Sequence, residues 1–168
     1  MTPFRYASAS LSLRTLISFF LIIVGIGYVM GLVNIYNNVG FSFTGVVVHY
    51  KGDAPPEFAL AKLVQEHHVH LFGLAIIFLL IGYLFTLTEL PEFPKACFVA
   101  APFIGMVMDF AGIWSTVFLH QSFAWLTVIF GAFMAVSFFM LIGRPLYEMW
   151  ILPVLIKKFG EKLPWYLS

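Results

Sequence analysis

Three of the five histidines stand in one run, Glu66-His67-His68-Val69-His70, and the other two are His49 and His120. Imidazole is a common ligand of haem iron and of zinc, copper and iron ions, and its charge changes near neutral pH. On a helix, residues three or four apart share a face. Glu66 and His70 meet that condition, as do His67 and His70; Gly73 continues the face one turn further, while His68 points away. The run therefore presents a carboxylate and two imidazoles to one neighbour, with a glycine where something bulky can approach. A second stripe comprises Pro102, Gly105, Asp109, Gly112, Thr116 and His120, which at about 100° per residue fall within about 60° of one line.

Two chemistries suit these residues. In the first, His70 and His120 are axial ligands of a b-type haem, with His67 or His68 able to replace His70, and with Gly73, Gly112 and Thr116 leaving room for the porphyrin edge. In the second, Glu66, His67, His70 and His49 hold one copper, zinc or iron ion. The plainer alternatives are histidines that simply tolerate a membrane interface and a small-residue stripe that serves helix packing. Asp109 is either a proton-handling group beneath such a site or a neutral acid bonded to Asn34, Ser137 or a backbone carbonyl.

The elements that must position these residues are legible in the charges. The chain has 168 residues, 61% hydrophobic and only 10% charged, where an ordinary soluble domain carries about 25% charged residues. A formal charge of +1 with no separate basic run excludes nucleic-acid binding. The single cysteine, Cys97, and the absence of a C-x-x-C-H sequence exclude an intrachain disulfide and covalent haem attachment. Residues 15–50 and 67–88 contain no Asp, Glu, Lys or Arg, and 96–143 contain only Asp109. A span needs about 20 residues, so the last stretch holds two helices with His120-Gln121-Ser122 as their turn.

Four transmembrane helices are thus predicted near 14–36, 66–88, 96–118 and 122–143, in one all-α membrane domain. An outer loop spans 37–65, from whose Pro55-Pro56 start the second helix extends outward by two or three turns. A tail over 144–168, with Trp150, Trp165 and Tyr166 among lysines, reads as an amphipathic segment at the interface. With the N-terminus inside, seven Lys and Arg lie on the cytoplasmic side and only Lys51 and Lys62 outside, so both termini are expected in the cytoplasm. All five histidines then fall on the outer side. Gly27, Gly31 and Asn34 in the first helix, and Ala124, Thr127, Gly131 and Ala135 in the fourth, are close-approach surfaces. The many phenylalanines face lipid or a partner, and the seven methionines fill gaps.

The run His68-Val69-His70-Leu71-Phe72-Gly73 resembles the H-x-H-x-x-G pattern that opens the second helix of short four-helix bacterial membrane proteins, some of them named as relatives of haem-copper oxidase subunit I. That resemblance implies a b-type haem or a metal near the outer face, with His68 and His70 as the residues carried over. A catalytic oxidase subunit has many more helices, so an independent oxidase is excluded. The expected function is a b-type cytochrome subunit of a respiratory-type complex in the bacterial inner membrane, relaying electrons between quinone and an extracytoplasmic cytochrome. The alternatives are a cofactor-free accessory subunit in contact with lipid and other membrane subunits, and the single-ion site.

Overall fold

The computed structural model describes residues 5–52 and 56–159. Its long helices are α1 (Leu11–Asn38), α3 (Pro56–Thr86), α4 (Glu92–Phe118) and α5 (Ala124–Leu146). A short α2 (Phe43–Val46) passes into a π-helical turn, Val47–Lys51. A second π-helical turn, Tyr147–Ile151, joins α5 to α6 (Leu152–Phe159). Four helices are long and apolar enough to cross a membrane, the fourth running without a break over Gln121–Lys158.

The sequence explains the helix ends. Ser10 caps α1 by accepting from the Leu13 N–H. At the far end of α3 the Thr88 hydroxyl donates to the Phe85 carbonyl, closing the helix two residues earlier than the charge pattern suggested. Pro91 starts α4, and the 3-10 turn Gln121–Phe123 returns the chain into α5. α3 starts early, at Pro56, so the second helix does extend beyond the charge-free stretch.

The α4–α5 hairpin is the framework: α3 packs on both helices, and α1 lies mainly against α5. The small-residue stripe of α4 faces α5 and is filled by it. A Cβ on Gly105 would lie 2.8 Å from the Met134 Cβ, and one on Gly112 would lie 2.6 Å from Thr127 Oγ1 and 2.7 Å from Thr127 N. Thr116 is fully buried and donates to the Gly112 carbonyl. These glycines therefore serve close helix contact, and the expected porphyrin space along Gly112 and Thr116 is occupied by α5 itself.

The packed core gathers toward the end of the bundle where α1 begins and α5 ends. It comprises Ile17 and Leu21 of α1, Phe78, Ile81 and Phe85 of α3, Met106 of α4 and Met134, Phe138 and Leu141 of α5, with Tyr6 and Met149 closing it. The region from 144 onward is therefore not a separate surface segment at its start. Glu148, Met149 and Leu152 are buried, and the Arg14 guanidinium lies 4.3 Å over the Trp150 ring and donates to the Met149 carbonyl. The Trp150 indole N–H donates to Ser18 Oγ at 2.8 Å. Lys162, Trp165 and Tyr166 lie outside the described residues.

The first helix departs from expectation. Among the described residues Gly27 and Gly31 meet nothing within 4 Å, so nothing described fills this predicted close-approach face. The Asn38 amide donates to the backbone carbonyl and the side-chain oxygen of Asn34, both at 2.9 Å, which keeps the polar end of α1 local.

Candidate functional site

All five histidines lie at the end of the bundle away from the packed core, where α1 ends, α3 begins and α4 ends. Their ring nitrogens have different partners, and those partners decide what each ring can do. His70 Nδ1 donates to the Glu66 carbonyl at 2.7 Å, and His68 Nδ1 to the Val64 carbonyl at 3.2 Å. A carbonyl only accepts, so both rings carry the proton on Nδ1 and leave the Nε2 lone pair outward, which is the ligating form. Both side chains are exposed.

His67 is the member of the run that faces the bundle. Its ring stacks on Phe110 at 4.3 Å with 4° between planes, and the Trp114 indole N–H donates to its Nδ1 at 2.6 Å. An indole nitrogen only donates, so the ring proton of His67 sits on Nε2 and the ring is not in the ligating form. Phe110 and Trp114, four apart on α4, close the seam between α3 and α4 at this level, so a macrocycle does not fit between these helices as packed. The sequence reading placed His67 and His70 together on one face; in the bundle His67 turns inward and His70 outward. Gly73 is exposed with nothing within 4 Å.

His120 is used as a cap. Its Nδ1 accepts the Ser122 N–H at 3.2 Å at the start of the α4–α5 turn. The expected pairing of His70 with His120 therefore joins a ring in the ligating form to one whose Nδ1 is an acceptor.

The four residues of the single-ion alternative diverge. Lys62 explains why: its Nζ lies 3.5 Å from His49 Nε2 and 3.9 Å from Glu66 Oε1. An ammonium thus stands between His49 and Glu66, while His67 Nδ1 is taken by Trp114 and His70 faces away from His67. Among the described residues no three His, Cys, Asp or Glu side chains gather as a metal site.

The segment joining α1 to α3 folds over this end. Gly40 and Gly52, at φ +72° and +38°, bracket it in the left-handed region that glycine adopts without strain. Ser42 caps α2 by accepting from the Gly45 N–H, Val46 is buried, and Phe43 meets Trp125 of α5 with ring centroids 5.5 Å apart. Burial pushes the Tyr50 phenol up to about 12, and the carboxylates of Asp109 and Glu66 add to the shift. Tyr50, Lys62, Phe110 and Trp114 were not singled out in the sequence. The spacing of four between Phe110 and Trp114 was the available signal, but it looks the same on a lipid-facing helix.

Residues 40–154 match the Aq_1264_TM family, described as a transmembrane helical domain. The chain belongs to that family. It is a multi-pass membrane protein in contact with lipid, and the matched region runs from the cap over the histidine end through α3, α4 and α5 to the start of α6. No curated protein and no solved structure matches the chain.

Proposed function

We propose that this chain is a non-enzymatic subunit of a larger assembly in a bacterial inner membrane, with both termini cytoplasmic. One observation carries the reading. The helix-packing glycines of α4 are filled by α5, whereas Gly27 and Gly31 of α1, one turn apart on one face, have nothing against them among the described residues. Small residues let a neighbouring membrane helix approach closely, and α1 contributes few residues to the core. At the histidine end each ring has one nitrogen engaged within the chain, which fits a subunit that positions others.

Extracted from its native membrane in mild detergent, the chain is expected in a particle larger than its monomer on native electrophoresis. A stable monomer would sink the assembly reading. Orientation is tested separately with single cysteines in a Cys97→Ser background. Positions Thr44 and Gln121 are expected to react with an impermeant reagent in intact cells, and Ser12 and Glu92 only after the membrane is opened; the reverse pattern would invert the topology.

A second reading, a b-type haem relaying electrons between quinone and an extracytoplasmic cytochrome, draws on the outward Nε2 atoms of His68 and His70. The opposite axial imidazole would have to come from a neighbouring chain, since the α3–α4 seam is closed by His67, Phe110 and Trp114. The absorption spectrum of the same native particle decides it. A low-spin haem band that is lost in His70→Ala and kept in His49→Ala supports the haem reading, and a spectrum without haem bands ends it.

A further inference from the structure

Asp109 and Arg14 are both set into the bundle without an oppositely charged partner, since the ion pairs among the described residues use Arg5, Lys62, Lys95 and Arg144. Asp109 also lacks the neighbours that the sequence offered it. Ser137 donates to Phe133 of its own helix at 2.7 Å, Asn34 is paired with Asn38, and Thr127 reaches only the backbone carbonyl of Asp109. The two groups differ in what can relieve them. A proton neutralises a carboxyl inside a membrane, whereas a guanidinium keeps its charge and is relieved by water or by an anion.

Arg14 lies at the level of phospholipid phosphates. α1 has 28 residues, about 42 Å at the helical rise, which matches the roughly 40–45 Å of a bilayer with its headgroups. Arg14, on the first turn, is therefore at the boundary between hydrocarbon and headgroup. Its guanidinium is fixed there, whereas an interfacial cation ordinarily extends toward water. It lies 4.3 Å over the Trp150 ring and its Nη2 donates to the Met149 carbonyl, while the Trp150 indole N–H is tied in turn to Ser18 Oγ at 2.8 Å. Among the described residues that carbonyl is its one hydrogen-bond acceptor, and Nε is buried with no partner. The acids described at this end are taken: Glu148, next to Met149, by Arg144 and the Glu89 N–H, Glu89 by Arg5, and Glu92 by Lys95. One further cation stands on this side. Trp150, Val154 and Lys157, spaced by four and three residues, are all exposed, which puts Lys157 about two turns beyond Trp150.

We propose that Arg14, stacked on Trp150, seats the phosphate of one anionic phospholipid, with Lys157 as a second cation beyond it. Guanidinium N–H groups match phosphate oxygens in geometry and charge, and basic pockets between transmembrane helices hold such headgroups. The pocket here lies between the start of α1 and the bend from α5 into α6. A headgroup with net negative charge fits it better than a zwitterionic one, whose own ammonium would face Arg14 and Lys157. The lipid joins α1 to α6 at the end where α1 begins.

Native mass spectrometry of the full chain in mild detergent, titrated with phosphatidylglycerol or with phosphatidylcholine of the same acyl chains, counts the retained lipids. Phosphatidylglycerol is expected to be kept with a preference of roughly fivefold or more. That preference should vanish in Arg14→Gln and persist in Arg5→Gln, whose charge is met by Glu89. Phosphatidylglycerol should also raise the unfolding midpoint of the wild type and leave that of Arg14→Gln unmoved, because a ligand stabilises only the state that binds it. Equal retention of the two lipids overturns the proposal, and an unchanged preference in Arg14→Gln overturns the assignment to Arg14. An adduct of inorganic phosphate that depends on Arg14, without any lipid preference, would make this a free-anion site and overturn the lipid. If Arg14→Gln does not accumulate, phosphatidylglycerol with a photoreactive headgroup answers in the unaltered chain. Cross-links within residues 11–18 or 147–158 support the seat, and cross-links confined to the histidine end overturn it.

Discussion

Glu148→Ala is expected to cost about 3–5 kcal/mol of stability, the range for removing one partner of a buried ion pair. The Glu148 side chain is 1% exposed and that of Arg144 13%, with Arg144 Nε 2.6 Å from Glu148 Oε1. The same carboxylate accepts the Glu89 N–H at 3.1 Å on both oxygens, which ties the turn between α3 and α4 to the far end of α5. Removing it strands a buried guanidinium and an amide together. The turn loses its anchor to α5, although Glu89 keeps its contact with Arg5 at 3.5 Å. Reversible unfolding in mixed micelles measures the loss. Glu148→Gln, which keeps an acceptor for Glu89, should fall between the wild type and Ala. The double change Arg144→Met with Glu148→Leu should recover most of the stability, because burying an apolar pair in place of an ion pair is often neutral or favourable. An Ala variant within about 1 kcal/mol of the wild type would show that this clamp does not hold the bundle end.

Gly112→Val is the second large effect, and its value lies in the contrast with α1. Even a methyl group on Gly112 would sit within 3.1 Å of Leu126 Cβ and closer still to the backbone nitrogen and hydroxyl of Thr127. Backbone cannot swing aside as a side-chain tip can, so α4 and α5 must separate, at a cost of roughly 1–3 kcal/mol or more. Thr127 would then lose its contact with the Asp109 carbonyl. By the same reasoning Gly27→Ala and Gly31→Ala should leave the monomer as stable as before, or more stable by up to about 1 kcal/mol, since alanine favours the helix and nothing opposes the added methyl. Bulky Leu at positions 27 and 31 should instead release the chain from its native particle without unfolding it. Unfolding and native electrophoresis of the same four variants separate the two roles. Equal destabilisation at Gly27 and Gly112 would mean that α1 packs within the chain more tightly than its open face indicates.

The histidine end and the core end of this bundle are built on different principles, and this bears on both functional readings. In the packed core Tyr28 stacks on Phe138 at 3.8 Å; at the end where α1 begins Tyr6 is fully buried, and burial, with the Glu148 carboxylate, holds its phenol above the ordinary range. At the other end Val46, Leu63, Ile113 and Ala124 are buried outside the main core cluster, and His67 stacks on Phe110 beneath a segment bracketed by two left-handed glycines. Regions outside the main core open at lower free energy than the core itself. A partner's approach is better accommodated there than at the clamped end.

By itself the sequence determined how many times the chain crosses the membrane and where. Charges are costly in hydrocarbon, so the gaps between Arg14 and Lys51, Glu66 and Glu89, and Lys95 and Arg144 had to hold the spans, and a gap twice the necessary length had to hold two. It also placed all five histidines at one end, because helix count alone fixes which end each residue occupies. What it left open was which face meets which. In a soluble helix an apolar stripe marks the buried side, but lipid is as apolar as a protein core, and α1 is apolar all round. Gly27 and Gly112 therefore look alike in sequence, and only packing distinguishes an open face from a filled one. The same holds for the rings. That His67 turns toward Trp114 while His70 turns away, that Lys62 stands where a metal was expected, and that Phe43 meets Trp125 are consequences of helix rotation and of how the 40–52 segment folds back. Tertiary contact decided these points, because hydrogen-bond partners far apart in the chain leave no periodic trace in it.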